Sequence, residues 1–109
     1  MPPFQLQELD APTTKSLVAR GEAVLVDVRE PAEHAREHIP GVALVPLSAF
    51  DIERVKTVAG TKKVIFFCAL GGRSARAAQA LHAAGVSNVA HLKGGLPTWR
   101  AAGFETATG

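Results

Sequence analysis

Apolar residues along this chain gather into short unbroken runs, not into alternating ones. Ala23 to Val28, Val42 to Leu47 and Lys63 to Phe67 are each bounded by turn or charge signals. An alternating strand keeps one face in water, whereas an unbroken run is covered on both faces, as the strands of a parallel sheet are. These three runs therefore predict buried parallel strands. Val86 to Leu92 predicts a further strand, and Phe4 to Leu9 an edge strand.

Helical signals fall between the runs. Thr13 or Thr14 is a candidate cap for a helix ending near Arg20-Gly21, Ser48 for one running through Lys56, and Ser74 for the strongest helix of all. In that helix Ala77, Ala78, Leu81 and Ala84 share one face, Arg76 and Gln79 lie elsewhere, and Gly85 supplies the left-handed stop. Leu96 to Ala102 predicts a last helix closed by Gly103. Strands alternating with helices at this spacing predict an α/β fold of βαβ units, with a parallel sheet covered on both faces and right-handed crossovers. The chain shows no repeat and no internal linker, so residues 1–109 read as one domain with a core from about 5 to 105, and the tail from Thr106 to Gly109 is expected to fray.

Composition narrows the functional classes. Hydrophobic residues make up 47% of the chain and charged residues 20%, an ordinary globular balance. A domain of 109 residues needs no covalent staple. Its apolar runs are too short to span a bilayer, and the start lacks the basic and apolar segments of a signal peptide, so a cytoplasmic location is the expectation and a membrane is not an expected partner. The net charge of +2 is spread among acids, and Trp and Phe are not interleaved with a basic run, which argues against nucleic acid.

The single cysteine carries the chemistry. Cys68 stands where Val64-Ile65-Phe66-Phe67 gives way to Ala69-Leu70-Gly71-Gly72-Arg73-Ser74 and a helix. In open α/β sheets the ligand crevice lies at the carboxyl ends of the strands, and Asp27 at the end of its own strand is expected to line the same crevice. Gly71 and Gly72 let backbone N–H groups turn inward around the thiol, and the helix start favours negative charge, so a lowered thiol pKa is expected. Arg73 adds a cation at the rim that could clasp an anionic substrate oxygen with its fork.

Beyond this loop, the chain resembles the rhodanese (sulfurtransferase) family along residues of about 5 to 105. Leu25-Val26-Asp27-Val28-Arg29-Glu30-Pro31 with Glu33 is similar to its first signature, and His38-Ile39-Pro40-Gly41 to its second, with Val42 in place of alanine. Val64 to Ser74 resembles the active-site segment, and Leu92-Lys93-Gly94-Gly95-Leu96 with Trp99 and Ala102-Gly103 the last signature. The resemblance implies a doubly wound fold of about five parallel strands. It also implies that Cys68 takes a sulfane sulfur from a small anionic donor such as thiosulfate, and that the persulfide passes it to cyanide or a thiol, which could be borne by a protein. The backbone of Ala69, Leu70, Gly71, Gly72 and Arg73, with Ser74, would hold the persulfide; no metal or organic cofactor is implied. Ala69 stands where thiosulfate-preferring members resemble this loop but carry a basic residue, so thiosulfate is expected to be a poor surrogate for the real donor.

Rival readings are weaker. The related phosphatases and arsenate reductases place five residues between cysteine and arginine, whereas four separate Cys68 from Arg73, and Phe67 stands where those enzymes have histidine. Regulatory modules that resemble the fold usually lack the cysteine, although a persulfide relay to a partner remains a second reading. The glycine pairs 71–72 and 94–95 do not make a dinucleotide fingerprint. His34 and His38 are four apart beside Glu33 and Glu37, but Pro40 ends any helix, so packing is favoured over metal binding. His82 and His91 have no recognisable catalytic partner in sequence. Asp27 and Arg29 are expected to form an ion pair, Trp99 to anchor the core, and Leu70 to be exposed for an acceptor.

Overall fold

Five of these apolar segments become strands of one sheet in the computed structural model, which describes residues 5–108. They are β1 (Gln7–Leu9), β2 (Ala23–Asp27), β3 (Ala43–Leu44), β4 (Lys63–Phe67) and β5 (Val89–Leu92). Their order in the sheet is β1-β5-β4-β2-β3, and every neighbouring pair runs parallel. The helices are α1 (Ala11–Ala19), α2 (Pro31–Arg36), α3 (Ile52–Ala59), α4 (Gly72–Ala83) and α5 (Leu96–Ala101).

The central strand explains why the apolar runs do not alternate. Val64 and Phe66 of β4 pack into a cluster with Val55, Ala77, Ala78 and Leu81 on α3 and α4. Ile65 and Phe67 point to the opposite face, into a cluster with Ala11, Leu96 and Trp99 on α1 and α5. Both faces are thus covered, and a fully buried Val, Leu, Ile or Phe is worth about 1.5–3 kcal/mol. Trp99 anchors the second cluster, edge-on to Phe104 at 5.0 Å, with its indole N–H donating to the Glu105 carbonyl at 3.0 Å.

Several boundaries differ from the sequence expectation for local reasons. β1 starts at Gln7, and Phe4 lies outside the described residues. The run from Val42 shrinks to a two-residue strand. Val45 and Leu47 still donate to the Asp27 and Val28 carbonyls, but Pro46 has no N–H and the chain turns into a 3-10 turn at Leu47–Ala49. Ser48 therefore caps no helix. Its hydroxyl donates to the Glu30 carboxylate at 2.7 Å, and α3 is capped by Asp51, which accepts from the Arg54 amide at 3.0 Å.

Asp10, not Thr13 or Thr14, caps α1 by accepting from the Thr13 amide at 2.8 Å, and Thr14 is buried inside the helix. At the end of α4, Gly85 has φ +95° and the Val86 amide returns to the Leu81 carbonyl, which delays β5 to Val89. Ala84 follows the last turn and is exposed, unlike Ala77, Ala78 and Leu81. The tail is not frayed at Thr106 and Ala107: Ala107 exchanges two 2.8 Å backbone hydrogen bonds with His38, and the Thr106 hydroxyl bonds Glu37.

Candidate active site

Cys68 follows the last residue of β4 and is 1% exposed, at the floor of the loop that joins β4 to α4. Gly71 adopts φ +126° at the cap of α4, a conformation that only glycine takes without strain, and this turns its N–H back onto the sulfur. The Gly71 amide lies 2.9 Å and the Ser74 amide 3.4 Å from Sγ, while the thiol sits 3.6 Å from the Ser74 hydroxyl. Burial works against a thiolate here. It is outweighed by the hydrogen bonds of the Ser74 hydroxyl and of the Ser74, Leu70 and Gly71 amides, which hold the thiol below its ordinary pKa.

The expected loop is therefore built around the sulfur, with its parts unequally used. Gly72, Arg73 and Ser74 form the first turn of α4, so Ser74 lies inside the helix and does not open it. Ala69, Gly72 and Arg73 make no amide hydrogen bond to the bare thiol among the described residues. Leu70 projects into solvent, 79% exposed.

Arg73 departs most from the expectation. Its fork closes on Glu33, with Nη1 to Oε1 at 2.6 Å and Nη2 to Oε2 at 2.9 Å, so two of its five N–H donors are engaged by a carboxylate. Glu33 also accepts from the Glu30 amide in a capping box, so one carboxylate starts α2 and ties it to α4. The Arg73 hydrogen bonds, against the cost of burial and with help from the Glu30 amide, lower the Glu33 pKa to about 2. A folded-state pKa below the ordinary 4.5 means that the pair stabilises the fold above pH 4.5 and that this stability is lost as pH falls toward 2. Glu33→Gln is accordingly expected to melt a few degrees below the unaltered protein at pH 7, with the gap closing by pH 2. Thermal unfolding followed across that range checks it.

Asp27 and Arg29 form the expected ion pair, and it is buried. Arg29 donates to both carboxylate oxygens at 2.8 to 3.2 Å, its amide bonds Oδ1 at 2.9 Å, and Nη2 also reaches the Glu37 carbonyl at 2.7 Å. Asp27 and Cys68 are both buried and neither lines the crevice beside the cysteine loop, whereas Arg29 does. That crevice, of about 340 Å³, opens between α2, the cysteine loop and α5, with Arg29, Arg36, Leu70, Pro97 and Arg100 on its walls. Arg100 pairs with Glu37 at 2.8 Å, whereas Arg36 bonds only the Ala32 carbonyl among the described residues. His34 and His38 stack at 4.3 Å and His38 Nδ1 meets the His34 carbonyl, which is a packing role.

Sequence reasoning misses His91. Its Nδ1 lies 2.8 Å from the Ser74 hydroxyl and its Nε2 3.1 Å from Glu8 Oε2, so a continuous chain of hydrogen bonds leads from Cys68 through Ser74 and His91 to Glu8. The available signal is a polar residue in the fully buried strand Val89–Leu92, but its partners come from α4 and from β1. Gly95 stands in the sequence only as part of a family motif, without a role. Its amide follows β5, and the next amide, that of Leu96, donates to the Cys68 carbonyl at 3.0 Å, fixing the cysteine loop onto the start of α5.

Comparison with known proteins agrees with this construction. The Rhodanese-like domain family matches residues 10–102. The chain is 40% identical over 97 residues to the uncharacterized protein slr1261 of Synechocystis sp., covering 88% of this chain and 54% of that one. It therefore spans only about half of that relative. A protein named sulfurtransferase from Allochromatium vinosum is 33% identical over 95 residues, covering 86% of this chain and 88% of its own length. The crystal structure of thiosulfate sulfurtransferase from Pseudomonas aeruginosa superposes with a TM-score of 0.84 at 35% identity, over 95% of this chain and 20% of that one. With the parallel sheet, the cysteine at its carboxyl edge and a match over most of its length, this chain belongs to the Rhodanese-like domain family.

Proposed function

We propose that this domain is a sulfurtransferase that carries sulfane sulfur on Cys68. The observation that supports it best is the inward Gly71 and Ser74 amides, which lower the pKa of the Cys68 thiol on which they converge. With thiosulfate as donor, the Cys68 thiolate attacks the outer sulfur, a new S–S bond forms, and the S–S bond of thiosulfate breaks with its electron pair leaving on sulfite. The charge is unchanged by this step, so the persulfide keeps the negative charge on its outer sulfur. Amide N–H groups suit that charge because they stabilise it and do not protonate it. Attack by cyanide or a thiolate on the outer sulfur then releases thiocyanate or a new persulfide and returns Cys68 as thiolate.

Three arginines line the crevice, and Arg36, the one without a carboxylate partner among the described residues, gives an anionic donor a favourable field. Leu70 supports a second reading of the acceptor. A leucine 79% exposed beside Pro97 at the crevice suits contact with a protein-borne thiol better than with cyanide. Four intervening residues, and not five, favour sulfur over phosphate.

Intact mass tests the proposal directly. Treatment with thiosulfate should add one sulfur atom to most of the protein, and cyanide should remove it with release of thiocyanate. Glutathione persulfide and mercaptopyruvate, run on the same preparation, rank the donors. A protein that gains no sulfur from any of the three, or that hydrolyses a phosphate ester instead, sinks the assignment.

A further inference from the structure

His91 is a buried polar residue with a partner at each ring nitrogen, and it lies outside the lining of the arginine-lined crevice. The parallel register of β1 and β5 sets Glu8 beside His91, and α4 sets Ser74 on its other side. The carboxylate of Glu8 only accepts, so Nε2 carries a proton toward it. In the neutral ring Nδ1 is then a lone pair aimed at the Ser74 hydroxyl. That hydroxyl has one proton and three acceptors in reach: His91 Nδ1, the Gly71 carbonyl at 3.0 Å and the Cys68 sulfur.

We propose that Glu8, His91 and Ser74 form an internal proton store for Cys68. The inference rests on the sulfurtransferase reading for its purpose but not for its chemistry. As the S–H proton passes to Ser74 Oγ, the serine's own proton passes to His91 Nδ1. The S–H bond breaks with its electron pair left on sulfur, an N–H bond forms, and no proton enters or leaves the protein. Ser74 has then reversed: it now holds a proton toward the thiolate and accepts one from the imidazolium, which lies between it and the Glu8 carboxylate. Sulfur uptake needs no base from solvent. When an acceptor has taken the outer sulfur and left Cys68 as thiolate, the proton held on His91 can return to it by the reverse path, and a neutral acceptor thiol keeps its own proton on the persulfide it becomes.

The surroundings leave few other charges to do this. Gly71 at the cap of α4 and Ser74 and Ala75 within it face His91 and carry none; from β4 its register partner is Phe66. Lys93, on the same strand side, lines the outer surface with Glu8. Arg73 acts on the Cys68 charge across the loop, but its fork is held by Glu33. His91 touches neither donor nor acceptor, so it is a positioning residue acting through Ser74.

A thiolate titration tests the store. The chain has one cysteine and no tyrosine, so the ultraviolet absorbance of the thiolate reports Cys68 without tyrosinate overlap. His91→Gln can bond both neighbours but cannot take the proton. It should raise the midpoint of thiolate formation by at least one pH unit, about a tenfold loss of thiolate below that midpoint. Glu8→Gln should move it in the same direction by less. The single-turnover rate with thiosulfate should fall in parallel at low pH, and the deficit should shrink as pH rises past the new midpoint, which a merely misshapen loop does not do. Midpoints within about 0.3 unit of the unaltered protein in both variants overturn the store. Should His91→Gln fail to fold, Glu8→Gln on the half-exposed edge strand decides alone. If the unaltered protein gains no sulfur yet both midpoints rise, the store stands and sulfur transfer falls; if it gains sulfur while neither midpoint moves, sulfur transfer stands and the store falls.

Discussion

Cys68→Ser should lose sulfur transfer by at least about a thousandfold while keeping the fold. A serine hydroxyl is far less acidic than a thiol and, being hard oxygen, attacks sulfane sulfur poorly; it also cannot form the S–S bond on which storage depends. Removing a nucleophile that acts as one unit with its surroundings leaves only binding, which does not carry sulfur from donor to acceptor. The structural cost is small for a definite reason. Cys68 packs in the cluster with Val26, Phe66 and Ala77, but the Gly71 and Ser74 amides that point at the sulfur can donate equally well to an oxygen. A loss of at most about 2 kcal/mol is expected from the smaller, more polar side chain. The check has two parts: mass after thiosulfate treatment, where no added sulfur is expected, and thermal unfolding, where a cooperative transition is. A folded Cys68→Ser protein that still turns over thiosulfate would mean that another group carries the sulfur.

The cysteine loop was legible in the sequence because its determinants are local. Lys63 to Phe67 is short, apolar and bounded, and Cys68 follows it within the same segment, so both the strand and its chemistry could be placed by reading along the chain. Local competition was harder to read. Asp10 and Asp51 take the caps because the helices begin directly after them, with Thr14 buried inside α1 and Ser48 drawn to Glu30, and Pro46 cuts short a run that otherwise tracks β2.

What the sequence hid was long-range pairing. Arg73 reads as a free cation until α2 brings Glu33 to it from 40 positions away. His91 reads as a lone histidine until β1, joining the sheet as its edge, brings Glu8 to it from 83 positions away. The order of strands decides both, and nothing in the periodicity of either segment states it. Such pairings also explain how the site can have a cation rim and an acid-backed histidine in a chain whose overall charge is near neutral.

Gly95→Ala is expected to damage stability and activity together, because the second glycine of the pair at 94–95 supports the cysteine loop from behind. Gly95 holds φ +69° and ψ −155°, a region costly for any residue with a side chain. A Cβ there would also meet backbone: the Ala69 carbonyl oxygen at 2.5 Å and carbon at 2.6 Å, and the Cys68 carbonyl oxygen. Backbone cannot rotate aside as a side chain can, so either the loop from Cys68 to Ala69 moves or the start of α5 does. Either movement breaks the Leu96 amide to Cys68 carbonyl bond and shifts the amides around the sulfur. Strain and overpacking each contribute about 1–3 kcal/mol, which for a domain of this size lowers the melting temperature by about 10 °C or more. Gly94→Ala separates the two causes: it has a similar φ of +79°, but its Cβ would meet only the side chain of Thr98. Gly94→Ala should therefore lose stability without losing the thiolate, whereas Gly95→Ala should lose both, as melting curves and iodoacetamide alkylation of Cys68 would show. Equal alkylation rates in the two variants would mean that the loop keeps its shape without the close approach of Gly95, and that the amides around Cys68 are held from α4 alone.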